Sequence, residues 1–296
     1  MAPVLFSIGS INASSFGVFL ISGFIFGVFL IWRLCRAWDI NEEKALDLML
    51  LTFIGGLLGA RIYFVIENFS LFSASALNFI LINKVPGFNF WGGFLGGWLT
   101  LYFFAKRFRI NFWQLADIAL VGFIGGLIFS DIGCLLGGCN IGIPSKAFFA
   151  VTQQGLVGRR WPVQAIEAIL LSFVLIRIWS QATHFHQRGK IVSLGFIYIG
   201  IIGFILEPLK QDHSGAIFSL VITILGITIY YLITKQSPIK HLQQVKIFIM
   251  DFIIDERFRS KVLQIIIKSW YNQKANFIWK LKNWKKILRR FNVKFS

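Results

Sequence analysis

The chain has 296 residues, 56% of them hydrophobic and only 15% charged, with 30 Lys+Arg against 13 Asp+Glu. Soluble domains average about 45–50% apolar and about 25% charged residues, and disordered chains need low hydrophobicity, so both classes are excluded. A net charge of +17 could suit a nucleic-acid-binding domain, but charge does not explain the apolar excess; the composition is that of an integral membrane protein.

A helix that crosses the hydrocarbon core needs about 20 mainly apolar residues. Taken in chain order, seven stretches qualify: 15–35, 46–66, 88–105, 115–137, 163–179, 191–209 and 216–234. The third is short and Gly-rich, and the fifth contains Glu167 and Arg177. The expected fold is therefore an all-α integral membrane protein with about seven transmembrane helices. No Lys or Arg precedes the first apolar run, so a signal-peptide n-region is not expected and the first span is read as retained.

Loop charges set the orientation. Arg33, Arg36 and Lys44 follow the first span, Lys106, Arg107 and Arg109 the third, and Arg177, Arg188 and Lys190 the fifth. The even loops offer little more than Lys84 and Lys210, which places the N-terminus outside and the C-terminal tail inside. Lys146, Arg159 and Arg160 break this rule, since they fall on the outer side. Misplaced cations suggest an anionic ligand.

Residues 1–234 thus form a membrane domain of net charge +5, and residues 235–296 a basic, Trp-rich tail of net charge +12. In the tail Trp279, Lys280, Trp284, Lys285, Leu288 and Phe291 recur near helical spacing. A basic helix with bulky apolar residues is expected to rest on an anionic lipid surface. No recognition motif accompanies the charge, and nucleic acid is not an expected partner.

Ionisable groups inside spans are costly and mark function by default. Here they are Arg61, Glu67, Asp117, Asp131, Glu167, Arg177 and Glu207. Arg61 follows Gly55-Gly56 and Gly59-Ala60, small pairs that let helices approach closely; its plain alternative is snorkelling or a packing ion pair. Two glycine clusters, at 87–97 and 133–142, either pack helices or let backbone approach a ligand. Cys134 and Cys139 have no nearby histidine to complete a zinc site and are read as small buried residues rather than metal or redox groups. Three cysteines are too few for a disulfide scaffold. There is no GxxxxGK[ST], HExxH or GxSxG motif, and no cofactor is expected.

The order of these motifs resembles the bacterial prolipoprotein diacylglyceryl transferase family. Val4-Leu-Phe-Ser-Ile-Gly9 with Phe16-Gly17 is similar to the family's opening, and Gly59-Ala-Arg-Ile62 to its Gly-Gly-Arg segment. The 87–96 run resembles the segment leading into a His-Gly-Gly. Gln114-Leu-Ala-Asp117 and the 133–142 cluster match the signature region in spacing. Arg160-Trp-Pro-Val-Gln-Ala-Ile-Glu167 resembles an Arg-His-Pro-Ser-Gln-Leu-Tyr-Glu motif, and Gly195 to Glu207, then Lys210 and Asp212, the last motif. Several positions depart from the pattern: Trp91 and Trp161 replace histidines, Asp131 and Gly203 replace arginines, and Phe16 and Ile166 replace tyrosines. Cys134 and Cys139 replace an asparagine and a glutamate, as in a cysteine-bearing branch.

The resemblance implies a bacterial inner-membrane, multi-pass enzyme that moves diacylglyceryl from phosphatidylglycerol to the lipobox cysteine thiol of a prolipoprotein. Its expected catalytic residues are Glu167, Glu207 and Asp131. The expected substrate-binding residues are Arg61, Arg160, Gln164, Gly92, Gly93, Gly133, Gly142 and Lys210. The phosphate leaving group needs fixed positive charge, for which an arginine fork is suited. With the family histidine replaced, the base is expected among the carboxylates. Two other readings stand beside this one: an inactive homologue that binds lipid or precursor, and a small-molecule transporter.

Overall fold

The computed structural model describes residues 4–8, 11–72, 79, 87–152, 157–213 and 215–235, and scattered residues between 250 and 279. It divides into two units, 1–235 and 236–296.

A two-stranded antiparallel ribbon, β1 (Val4–Ile8) and β2 (Ile11–Ser14), leads into helix α1 (Ser15–Ala37). Then follow α2 (Glu42–Glu67), the short α3 (Phe69–Phe72), α4 (Phe90–Arg107) and α5 (Phe112–Gly137). A second small ribbon, β3 (Val151–Thr152) with β4 (Arg159–Arg160), precedes α6 (Val163–Ala182). The unit closes with α7 (Lys190–Leu206), a 3-10 turn (Glu207–Leu209) and α8 (Ala216–Thr234).

The helices begin where the sequence supplies caps. Ser14, Asn41, Asn89 and Asn111 each accept a hydrogen bond from a first-turn N–H of α1, α2, α4 and α5, which satisfies donors that have no intrahelical partner. Glu42 and Glu43 in the first turn of α2, and Lys106 and Arg107 in the last turn of α4, complement the helix dipole.

All seven expected spans are helices, and six are long and apolar enough to cross a membrane. The chain is thus a multi-pass membrane protein. The seventh, α4, is the exception because its 18 residues include four glycines and two terminal cations. At 1.5 Å per residue it still reaches about 27 Å.

The helices pair as α1 with α5, α2 with α4, and α7 with α8, while α5 also contacts α6 and α7. All three of the first pairs depend on glycine, α7 with α8 through Gly200 and Gly226. A Cβ on Gly59 would lie 2.5 Å from the Gly92 carbonyl oxygen and 2.8 Å from Gly96 Cα. One on Gly27 would lie 2.8 Å from the Gly122 oxygen. Small residues bring helix backbones together in this way where no water-driven force exists between helices. The core is built from residues such as Leu34, Leu48, Leu115, Ile118, Ile124, Leu171 and Ile191.

Alternating helices give the bundle two ends. Reversals at 38–41, 108–111 and 183–189 form the basic end. The N-terminal ribbon, the 138–162 segment and the turn after α7 form the other. In the second unit, the described residues between 250 and 271 other than Asp255 are helical, with N–H to C=O bonds from Asp255 to Asp251 and from Arg259 to Asp255. Leu263, Ile267 and Tyr271 are exposed at a four-residue spacing. Of the tail positions singled out above, Trp279 is exposed, whereas Lys280, Trp284, Lys285, Leu288 and Phe291 lie outside the described residues, as does Lys84.

Candidate functional site

The end opposite the basic loops carries a platform of extended backbone. Segment 141–145 runs between the turn after α7 and strand β4. On one side Ile143 N–H donates to Leu209 and Gln211 N–H to Ile141; on the other, Trp161 N–H donates to Ile143 and Ser145 N–H to Arg159. Gly142 pairs across to Lys210, and Pro144 to Arg160. A Cβ on Gly142 would strike the Trp161 carbonyl, which is why this crossing is glycine.

The start of this platform is tied down covalently. Cys134 and Cys139 form a disulfide, with Cα atoms 5.0 Å apart. This corrects the expectation of two small buried residues. Helix α5 ends at Gly138 in the left-handed conformation (φ 81°), and the N–H groups of Gly138 and Cys139 both return to the Cys134 carbonyl. That turn brings the two cysteines together; it was legible only as a Gly following a helix. Disulfides persist in oxidising compartments.

Around this platform several expected residues converge. The carboxylates of Asp131 (late in α5), Glu167 (early in α6) and Glu207 share a field with Lys210: Asp131 feels Glu167 and Lys210, and Glu167 feels Lys210 and Glu207. Lys210 Nζ lies 3.3 Å from Glu207 Oε2, and Glu207 Oε1 accepts from Gly215 N–H at 2.7 Å, fixing the entry to α8. Arg160 Nη1 donates to the Gly142 carbonyl at 3.1 Å and to Gln211 Oε1 at 2.9 Å. Gln164, fully buried, donates through Nε2 to the carbonyls of Cys139 and Asn140.

Among the described residues, five buried side-chain polar atoms lack a hydrogen-bond partner. Four of them are here: Asp131 Oδ2, Arg160 Nε, Gln164 Oε1 and Glu207 Oε2, the last holding only its ionic contact with Lys210. Buried polar atoms are nearly always paired, and leaving one unmade costs about 1–3 kcal/mol. These open donors and acceptors lie among charged groups at one end of the bundle and make it the candidate site. The donors suit an anion, and the acceptors suit hydroxyl groups.

Other expected residues have different surroundings. Arg61, 4% exposed, donates to the carbonyls of Phe79 and Gly87 at 3.0 Å each, and its guanidinium lies over Phe64, Phe72 and Phe88. It therefore fastens the segment between α2 and α4. Gly92 and Gly93 face α2, against Tyr63 and Gly59 and against Ala60 and Gly56 respectively, and Gly133 faces Phe16 and Phe19 of α1. Packing, rather than the expected cradling of a ligand, accounts for glycine at these three positions. Arg159 holds the carbonyls of Phe148 and Ala150. Trp91, the replacement for a histidine, stacks on Phe218 with ring centroids 4.3 Å apart. At Gly203, where the resemblance expects an arginine, a built Cβ would lie 2.6 Å from Ser219 Oγ, so a side chain there requires Ser219 to turn away.

Two residues at this end had no signal in the sequence motifs. Gln211 receives Arg160, and His213 donates through Nδ1 to the Glu207 carbonyl at 3.1 Å. At the basic end, Asp117, fully buried, accepts from Gly189 N–H at 2.6 Å and Val192 N–H at 2.7 Å and so caps α7. His186 Nε2 lies 3.7 Å from Asp117 Oδ2. The Asp117 carboxylate beside it raises the pKa of His186 above its ordinary value, against the opposing effect of burial.

Fold and site together define a multi-pass membrane protein with an incompletely satisfied polar site at one end of its helices. A family model for prolipoprotein diacylglyceryl transferase matches residues 3–232, and the chain belongs to that family. It is 29% identical over 258 residues to the phosphatidylglycerol–prolipoprotein diacylglyceryl transferase of Rickettsia rickettsii, covering 80% of this chain and 97% of that one. A relative of the same name from Finegoldia magna is 25% identical over 244 residues, with the same coverage. One from Deinococcus radiodurans is 32% identical over 144 residues, which are 47% of this chain and 42% of that one.

Proposed function

We propose that this chain transfers diacylglyceryl from phosphatidylglycerol to the cysteine thiol of a prolipoprotein. The observation that carries the reading is the set of four buried polar atoms without a hydrogen bond, on Arg160, Gln164, Asp131 and Glu207, the last held only by its ion pair with Lys210. The headgroup of phosphatidylglycerol offers a phosphate and glycerol hydroxyls, the complements of an open Arg donor and open carboxylate and amide acceptors. Arg160 and Lys210 take the phosphate, whose charge grows as the glycerol phosphate leaves; fixed cations act most where charge develops. Glu167, Asp131 and Gln164 take the hydroxyls, and Gly142 sets the spacing between the Lys210 and Arg160 strands. Arg61 supports the site indirectly, by holding the segment that enters α4.

The site end faces the outer side of the bacterial inner membrane, where a secreted precursor arrives. Loop charge supports this, because the reversals at the far end and the helix ends beside them hold Arg33, Arg36, Lys106, Arg107, Arg109, Arg188 and Lys190. The disulfide supports it as well. The tail, with its exposed Leu263, Ile267 and Tyr271 and its net charge of +12, binds the anionic inner leaflet.

The test is transfer of a labelled diacylglyceryl group from phosphatidylglycerol vesicles to a lipobox peptide by the purified full chain. Thioether product is expected, and replacing Arg160 with Ala is expected to slow its formation by about 10²-fold. Folded protein that binds the lipid but forms no thioether would overturn the transferase reading in favour of a binding protein.

A further inference from the structure

We propose that His213 is the general base of this transfer, taking the proton of the precursor's thiol on Nε2; the assignment rests on the transferase reading above. A carbonyl oxygen only accepts hydrogen bonds. The 3.1 Å contact between His213 Nδ1 and the Glu207 carbonyl therefore places the proton of a neutral ring on Nδ1. The lone pair is left on Nε2. His213 itself is exposed, within reach of a thiol arriving from outside the bundle, yet its ring is tied to the residue that anchors the polar cluster.

The competing groups are engaged otherwise. Glu207 is held by Lys210 and by Gly215 N–H. Asp131 and Glu167 lie within α5 and α6, where their open acceptors suit the hydroxyls of the headgroup. Among the described residues the other histidines, His184 and His186, sit at the opposite end, in the reversal between α6 and α7. The charged neighbours of His213 are Glu207 and Lys210 of the turn before it and the adjacent Asp212.

The step balances without a further reactant. The thiol S–H proton passes to Nε2 and the sulfur lone pair forms a bond to the diacylglyceryl carbon. The bond from that carbon to the phosphate oxygen breaks, and its electron pair leaves with glycerol phosphate beside Arg160 and Lys210. The imidazolium then returns its proton to the phosphate or to water.

The experiment follows labelled phosphatidylglycerol into a lipobox peptide with the full chain and with His213→Gln and His213→Ala. Loss of a general base is expected to lower the rate by about 10²–10⁴-fold. The deficit should narrow as pH rises past the thiol's ordinary value of about 8.5, because the peptide then ionises unaided. Added imidazole should restore part of the His213→Ala rate. A wild-type rate in His213→Gln, or a deficit that neither pH nor imidazole relieves, overturns the assignment while leaving the transferase reading intact. Absence of transfer by the unaltered chain overturns both.

Discussion

Helix α5 carries one carboxylate near each of its ends, and their surroundings are opposite. Asp117 is fully buried, and both its oxygens are used, by Gly189 N–H and by Val192 N–H with His186 alongside. Asp131 is partly buried, its Oδ2 has no partner, and it shares its field with Glu167 and Lys210. Burial alone therefore does not identify function in this bundle. Asp117 is satisfied as the cap of α7, whereas Asp131 keeps an open acceptor, the one that the proposed headgroup site uses.

The comparison breaks most sharply on stability. Replacing Asp117 with Ala removes the acceptor of two N–H groups at the start of α7 and strands His186 beside a void. Breaking a buried charged pair from one side costs about 3–5 kcal/mol, so denaturant titration of the micellar protein should show a loss of that order. A loss below about 1 kcal/mol, the size of an ordinary surface change, would mean that Asp117 is not the cap it resembles. Asp131→Asn should behave in the opposite way. It keeps the shape of the side chain and breaks no hydrogen bond of Oδ2, so stability should move by less than about 1 kcal/mol in either direction, while thioether formation slows. Equal stability costs at the two positions would erase the distinction between cap and site.

Much of this fold was legible because the membrane sets a length. Each expected span became a helix, although α2, α4 and α5 begin at 42, 90 and 112 rather than at 46, 88 and 115, because Asn41, Asn89 and Asn111 cap them there. The site was legible only in part. Spacing and family resemblance pointed to Asp131, Arg160, Gln164, Glu167, Glu207 and Lys210, which the platform around Gly142 gathers at one end. Partners far away in sequence were not legible: His186 meets Asp117 across the α6–α7 reversal, and Gln211 meets Arg160 across the platform. The glycines misled because Gly92, Gly93 and Gly133 have the same composition whether a ligand or a helix lies against them; only the position of Tyr63, Ala60 and Phe19 decides. Cys134 and Cys139 misled for a local reason, since their pairing depends on the left-handed turn at Gly138.

The smallest expected effect tests the satisfied end by titration. His186 has its pKa raised above 6.5 in the folded chain, chiefly by the Asp117 carboxylate 3.7 Å away. A group whose folded pKa exceeds its unfolded value binds its proton more tightly when folded, so protonation favours the fold. Its contribution is fully present below about pH 6.5 and is lost as pH climbs through the raised value. Stability of the micellar protein should therefore decline over that window. The effect is modest, because His186 is not fully enclosed and water screens part of the pair. In His186→Gln the decline should flatten, since glutamine can still donate to Asp117 but does not titrate. The same decline persisting in that variant would assign it to other groups and remove His186 from the account of the cap. The unsatisfied end should respond differently, because ligand binding there changes which of its groups are paired. Saturating phosphatidylglycerol should raise stability in the unaltered chain and in His186→Gln alike, and less in Asp131→Asn.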